Sequence, residues 1–222
     1  MFRLYSSRSA ERILQKYAED IRRISARYGL PGPFIRAFLY QEITHIDLAD
    51  LLVDLTVRLN WLLYPLRERS RGDSTGTMNR GRTLIGKLDS STGYAQIFAF
   101  VGIDAVNFAA ERGLTTYEAL GIPGDHVLDP DRPADRRWMW RRLNRDRTFN
   151  LEVASLNLIS AAEEVTGRID FAGYSEEEIK RVFTRYNGTA KQISPYGEET
   201  YRHYLRYAEQ EETVTEQREA CR

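Results

Sequence analysis

Hydrophobic residues recur along this chain every three or four positions, the spacing that lays them on one face of a helix. Residues 9–28 place Ile13, Leu14, Tyr17, Ile21 and Ile24 on such a face and stop at Gly29, with Pro31 beyond. Over 33–46 the stripe is Ile35, Phe38, Leu39, Glu42 and Ile46. Leu48, Leu51, Leu52, Leu55, Leu59, Leu62, Leu63 and Leu66 form a further stripe, expected to pack against the core.

The polar stretch 67–82, rich in Arg, Gly, Ser and Thr, reads as a mobile loop or short hairpin. Beyond it, 94–112 is patterned as a helix, and Thr115 with Glu118 has the spacing of a capping box. Residues 121–133 form a loop with three prolines, 136–147 a basic helix, and 149–166 a well-patterned helix. Ser175 and Glu178 cap another helix running to about 186, and 198–211 is the last, followed by a polar, frayed tail over 212–222. No internal repeat and no long β alternation is present. The expected fold class is mainly α, with a small β-hairpin near 72–92, in a single domain over 1–222.

Composition narrows the class of function. With 42% hydrophobic and 11% aromatic residues the chain can bury a core. Thirty-two basic residues balance 32 acidic ones, so no overall field points to nucleic acid or an anionic membrane. One cysteine, Cys221, excludes a disulfide framework. The first eight residues lack the apolar core of a secretory signal. Asp50, Asp54, Arg58 and Asn60 interrupt the leucine stripe, so no membrane span is expected. The chain reads as a protein made in the cytoplasm. A target outside it would require delivery by something else.

Several candidate sites fail on spacing. His45, His126 and His203 form no metal-binding motif, so neither metal nor cofactor is expected. Gly72-Asp73-Ser74 lacks the strand-to-helix elbow that a hydrolase serine needs. Asp125, Asp129 and Asp131 do not have EF-hand spacing and read as an acidic turn. The run 136–147 could touch phosphates or the acidic groups of a cell-wall polymer. A solvated face with Trp138 and Trp140 docked on the core explains it as well.

Glu42 is the most informative residue. Set in an apolar stripe, a carboxylate loses water, and desolvation raises its pKa by disfavouring the charged form. An enzyme keeps a general acid protonated in this way. A structural salt bridge to one of the arginines is the alternative. Two later blocks bear on the choice. In Ser91-Thr92-Gly93-Tyr94-Ala95-Gln96-Ile97, Gly93 permits a tight turn or close approach to a ligand, and Gln96 offers both a donor and an acceptor. Tyr186-Asn187-Gly188 supplies a ring and an amide at a helix end, groups suited to sugar C–H faces and hydroxyls.

With these blocks in this order, the chain resembles the soluble lytic transglycosylases and goose-type lysozymes of the lysozyme-like superfamily. The blocks carrying the likeness are Glu42, Ser91–Ile97 as spelled out above, Asn150 opening Asn150-Leu151-Glu152-Val153-Ala154, Arg185-Tyr186-Asn187-Gly188, and Glu199-Thr200-Tyr201-Arg202-His203-Tyr204-Leu205. The likeness covers roughly residues 30–210. Glu42 and Gln96 stand 54 positions apart, more than the family usual, so about 48–88 is expected to be an inserted leucine-rich helix plus loop. Arg185 replaces a small residue, and Thr44 and His45 stand where the family has a serine.

The resemblance implies a lysozyme-like α-helical domain that cleaves the MurNAc-β-1,4-GlcNAc bond of peptidoglycan. Glu42 would be the acid/base, with Asp89, and Asp47 behind it, as candidate second carboxylate. Ser91, Gly93, Tyr94, Gln96, Asn150, Tyr186 and Asn187 would contact substrate, and Tyr204 would orient the acid. The implied partners are glycan strands, with delivery machinery or an immunity or inhibitor protein. The implied place of action is the periplasm or cell wall. Two rivals are a catalytically inactive module that binds glycan or protein, and a helical interaction protein using the leucine stripe.

Overall fold

A computed structural model describes residues 3–71, 87–123, 127–188 and 191–220, the side chains of 65–71, 214–216 and 218–220 excepted. The described residues are mainly α-helical and contain no sheet. In chain order the helices are α1 (Ser7–Lys16), α2 (Ala18–Tyr28), α3 (Gly32–His45), α4 (Leu48–Arg71), α5 (Ala99–Glu111), α6 (Pro133–Arg145), α7 (Arg147–Thr166), α8 (Glu176–Asn187) and α9 (Pro195–Ala220). The chain divides into two compact units, one of Met1–Leu4 with Ile46–Ala154, the other of Tyr5–His45 with Ser155–Arg222.

In the second unit, α3 is the central helix and packs on α1, α2 and α9, while α8 packs on α9. The expected one-sided stripe on α3 is in fact burial all round, reaching Gln41, Glu42 and Thr44 as well as Ile35, Phe38 and Leu39. Each of its large apolar side chains contributes about 1.5–3 kcal/mol on burial. That is enough to carry polar neighbours inside, provided each finds a partner. Gln41 Nε2 donates to Glu199 of α9 at 2.9 Å, and Thr44 Oγ1 donates to the Tyr40 carbonyl at 3.0 Å.

The local signals are mixed in their outcome. Gly29 ends α2 in the left-handed conformation, at φ 68°, and Ser175 with Glu178 forms a complete capping box. The expected helix 9–28 is divided at Tyr17, which caps α1 and precedes α2. The expected box of Thr115 and Glu118 gives way to a single 3-10 turn, Glu118–Leu120, in which Ala119 N donates to Thr116 Oγ1 at 3.1 Å. The tail expected to fray continues as α9 to Ala220, with the helix formers Glu209–Glu212 and Glu216–Ala220 on either side of Thr213-Val214-Thr215.

The first unit corrects the expectation for the leucines. Leu48, Leu51, Leu52, Leu55, Leu59, Leu62 and Leu63 of α4 are exposed, and the buried residues are Val57, Asn60 and Trp61. The reason is a polar anchor on that other face. Ser90 Oγ donates to Asp54 Oδ1 at 2.5 Å and Asn60 Nδ2 to the Lys87 carbonyl at 2.9 Å, while Arg58 reaches Asn144 at 3.2 Å.

The sequence 136–147 also resolves. Arg136 is buried and donates to the Pro130 carbonyl. Trp140 is buried with Nε1 on Ser90 Oγ at 2.9 Å, and Trp138 meets the Phe149 ring edge-on. The hairpin near 72–92 lies largely outside the described residues, as do Gly72-Asp73-Ser74, Asp125, His126 and Cys221. Among the described residues no helix is long and apolar enough to cross a membrane.

On α9, His203 lies edge-on to the Tyr40 ring at 4.6 Å. Burial, reinforced by the Arg206 charge, pushes its imidazole down to about 4. Its folded value lies below the ordinary 6.5 or so. The unfolded chain therefore binds the extra proton first as pH falls. His203 contributes stability that is fully present above about pH 6.5 and lost as pH falls through about 4. Denaturant midpoints measured across that window should fall more steeply for the wild type than for His203→Phe. Parallel curves would show that the imidazole titrates alike in both states.

Candidate functional site

Three helices of the second unit bring their ends to Glu42. The residue is 9% exposed, at the start of the last turn of α3. Tyr196, in the first turn of α9, donates its hydroxyl to Glu42 Oε1 at 2.5 Å. Tyr186, in the last turn of α8, packs its ring on Phe38 with centroids 5.1 Å apart. Burial, and next the Glu42 charge, push both phenols well above their ordinary value. They therefore remain protonated donors through the neutral range.

The start of α9 is fixed against α8 by short-range chemistry. Ser194 Oγ accepts from Gly197 N at 3.2 Å, the bond of an N-cap, and Pro195 takes the first helical position. Ser194 N in turn donates to Thr184 Oγ1 of α8 at 3.1 Å. A Cβ on Gly197 would lie 2.6 Å from the Lys180 carbonyl oxygen, so only glycine lets the two helices approach this closely. Tyr196 sits between the proline and the glycine and is held in place by both.

Tyr196 was missing from the sequence expectations. The signal for it was Ser194-Pro195-Tyr196-Gly197, a helix start whose tyrosine follows the cap at a fixed angle. Tyr204, expected to orient the acid, instead joins an aromatic cluster, with ring centroids 4.7 Å from Phe34 and 6.0 Å from Tyr201. Asn187 is exposed just beyond Tyr186. Arg185, the departure from the family pattern, donates Nε to Glu164 at 2.6 Å and NH1 to the Gly188 carbonyl, closing the end of α8.

The other expected site residues belong to the first unit. Thr92 and Ile97 form an isolated β-bridge around a turn, within which Gly93 has φ 71° and Gln96 φ 46°. The helix expected from 94 consequently begins at Ala99. Gln96 Nε2 donates to the Gly93 carbonyl at 2.7 Å, closing its own turn. Tyr94 lies under the Arg147 guanidinium, and Ser91 is half-buried.

Asn150 has a structural job. It is 2% exposed, accepts from Ala95 N at 3.0 Å and donates to the Thr92 carbonyl at 3.0 Å. Its amide clamps the turn and faces no open space. A Cβ on Gly93 would stand 2.5 Å from that amide, so the glycine makes room for the clamp.

Asp89 and Asp47, the candidate second carboxylates, both serve as helix caps. Asp89 accepts from Ser90 N at 2.9 Å, Ala99 N at 2.9 Å and Phe100 N at 3.1 Å, the last two opening α5. Burial pushes its carboxyl up to about 6, against the opposing pull of those amides and of the Arg136 charge. Asp47 accepts from Ala49 N at 2.7 Å and Asp50 N at 3.1 Å at the start of α4, and Asp50 accepts from Asp47 N at 2.9 Å.

Among the described residues no His, Cys, Asp and Glu cluster could hold a metal ion. An open groove of about 520 Å³ runs along α6, lined by Ala134, Trp138 and four arginines, and contains none of the expected site residues.

These roles carry measurable consequences. Removing the Asp89 cap with Asp89→Ala should cost about 0.5–2 kcal/mol of stability. Gly93→Ala should cost about 1–3 kcal/mol, through its positive φ and the collision with Asn150. In a double-mutant cycle read by thermal unfolding, Asn150→Ala should recover part of the Gly93→Ala loss. Strict additivity would mean that the two side chains do not meet.

No protein-family model, curated protein or solved structure matches this chain.

Proposed function

We propose that the chain has a lysozyme-like fold and cleaves the β-1,4 bond between N-acetylmuramic acid and N-acetylglucosamine in peptidoglycan, with Glu42 as its acid/base. The observation that carries this reading is the buried carboxyl held by the Tyr196 hydroxyl beside Tyr186. The order of the sequence blocks supports it. Glu42 gives its proton to the glycosidic oxygen as the bond from that oxygen to the muramic C1 breaks. The charge left on Glu42 is steadied by the Tyr196 donor, a charge-assisted bond of the stronger kind.

The second half of the reaction needs a nucleophile. Hydrolysis ordinarily enlists another carboxylate to direct water or stabilise the cationic sugar. Asp47 and Asp89 are both committed to capping helices. The non-hydrolytic route therefore fits better. In it the Glu42 carboxylate takes the proton of the muramic 6-hydroxyl, whose oxygen bonds to C1 and gives a 1,6-anhydro product.

The test is mass spectrometry of muropeptides released from purified peptidoglycan. Wild type should release fragments ending in 1,6-anhydromuramic acid. Glu42→Gln should lower the rate by about 10²–10⁴-fold, the usual contribution of a general acid. Tyr196→Phe removes a bond to a charged group worth about 1.5–3 kcal/mol. It should therefore lower kcat about 10–150-fold at unchanged KM. Full activity in Glu42→Gln would remove Glu42 from the mechanism, and reducing-end products would assign hydrolysis. Binding to peptidoglycan with no fragments released would make the chain a glycan-binding module.

A further inference from the structure

The outward face of α4 has a second periodicity. Leu48, Leu52, Leu55, Leu59 and Leu62 follow one another at intervals of four, three, four and three residues. This is the heptad repeat that lets two helices lie along each other, with leucine at both seam positions. All five are exposed, Leu52 at 64% and Leu62 at 65%. Leu51 and Leu63 flank the seam and are exposed too. The seam is about 21 Å long at 1.5 Å per residue. Seven leucines that leave roughly half their surface in water make a contiguous apolar area of several hundred Å², at or above the largest patch of a typical monomer. That is most of the roughly 800 Å² that each partner contributes to a standard interface.

The orientation of α4 is not accidental. Asp54, Arg58 and Asn60 are hydrogen-bonded to Ser90, Asn144 and Lys87 of their own unit, so the helix cannot roll its leucines inward without breaking those bonds.

We infer that this seam is an interface between two copies of the chain, the α4 helix of one protomer lying leucine to leucine against that of its partner. The charge pattern selects this occupant. The positions that flank a heptad seam normally carry the charges that choose or reject a partner. Here they are Ala49, Leu51, Thr56, Arg58 and Leu63, and the Arg58 guanidinium is turned to Asn144. No like charges oppose self-pairing, and none select a different chain. A bilayer surface is disfavoured, because an interfacial helix carries a predominantly basic polar face, whereas over Leu48–Leu63 α4 sets Asp50 and Asp54 against the one basic residue Arg58. The inference stands apart from the proposed glycan chemistry.

Sedimentation of the full chain at micromolar concentration tests it. Wild type should sediment at twice the chain's 25.7 kDa. The double variant Leu52→Lys/Leu59→Lys should sediment at the single mass, with an unchanged far-UV circular dichroism spectrum and no loss of thermal stability. Should the lysine variant fail to fold while wild type is dimeric, Leu52→Ala/Leu59→Ala decides. A rise of at least about tenfold in the dissociation constant upholds the seam, and an unchanged constant overturns it. A monomeric wild type overturns the inference in every case. If the lysine variant of that monomer unfolds, the chain itself covers the seam. If the monomer co-sediments with phosphatidylcholine vesicles, lipid does.

Discussion

The architecture of the second unit depends on burying α3 on all sides. A helix with one apolar stripe can keep its polar residues in water, but a helix enclosed by α1, α2 and α9 cannot. A buried polar group left without a partner costs about 1–3 kcal/mol, and most of those on α3 find one, Gln41 Oε1 and Arg36 Nε being exceptions among the described residues. Gln41 reaches Glu199, Thr44 bonds back to the Tyr40 carbonyl, and Glu42 receives the Tyr196 hydroxyl. Two of those three partners come from α9. The same helix therefore completes the core and equips the carboxyl, and the cap, proline and glycine at its start set where the tyrosine falls. Structure and proposed chemistry share one requirement, a dry carboxyl with a fixed donor.

The first unit solves a different problem with similar means. The turn at 91–97 bends through two left-handed residues and leaves backbone groups without helix or sheet partners. Asn150 satisfies Ala95 N and adds a second bond to Thr92 O, which also accepts from Ile97 N, and Asp89 satisfies the first amides of α5. Asp54 accepts from Ser90 and Thr92, and burial raises its carboxyl against those two hydrogen bonds. Acids and amides that look like catalytic equipment in a sequence here hold irregular backbone together. The cost of orphaned buried N–H and C=O groups is reason enough for their presence.

This difference explains what could be read from the sequence and what could not. Helices with strong local punctuation were legible: Gly29 ends α2, and Ser175 with Glu178 starts α8. Glu42 was legible as a buried carboxyl, because its neighbours on the helix are apolar. Its partner was not, since Tyr196 lies 154 positions away and pairing across that distance leaves no periodic trace. The structural work of Asp89 and Asn150 was hidden for a related reason. A side chain that caps a helix ten residues later, or clamps a turn 55 residues earlier, has the composition of a site and none of its exposure. The start of α5 was placed too early because nothing in the residue type of Gln96 announces a positive φ.

The leucines of α4 show the limit of periodicity most clearly. Apolar spacing identifies the face that avoids water, but not the surface that covers it. In α4 the opposite face is also committed: Val57 and Trp61 are buried, and Asp54 and Asn60 are hydrogen-bonded. Turning the helix to bury its leucines would place those polar groups outward and break each bond, while exposing a valine and a tryptophan. A helix with two faces that each favour contact can satisfy both only by meeting something on each side. One side is its own unit. The heptad spacing, which a single-sided core helix does not require, is the feature that makes another helix the natural cover for the other.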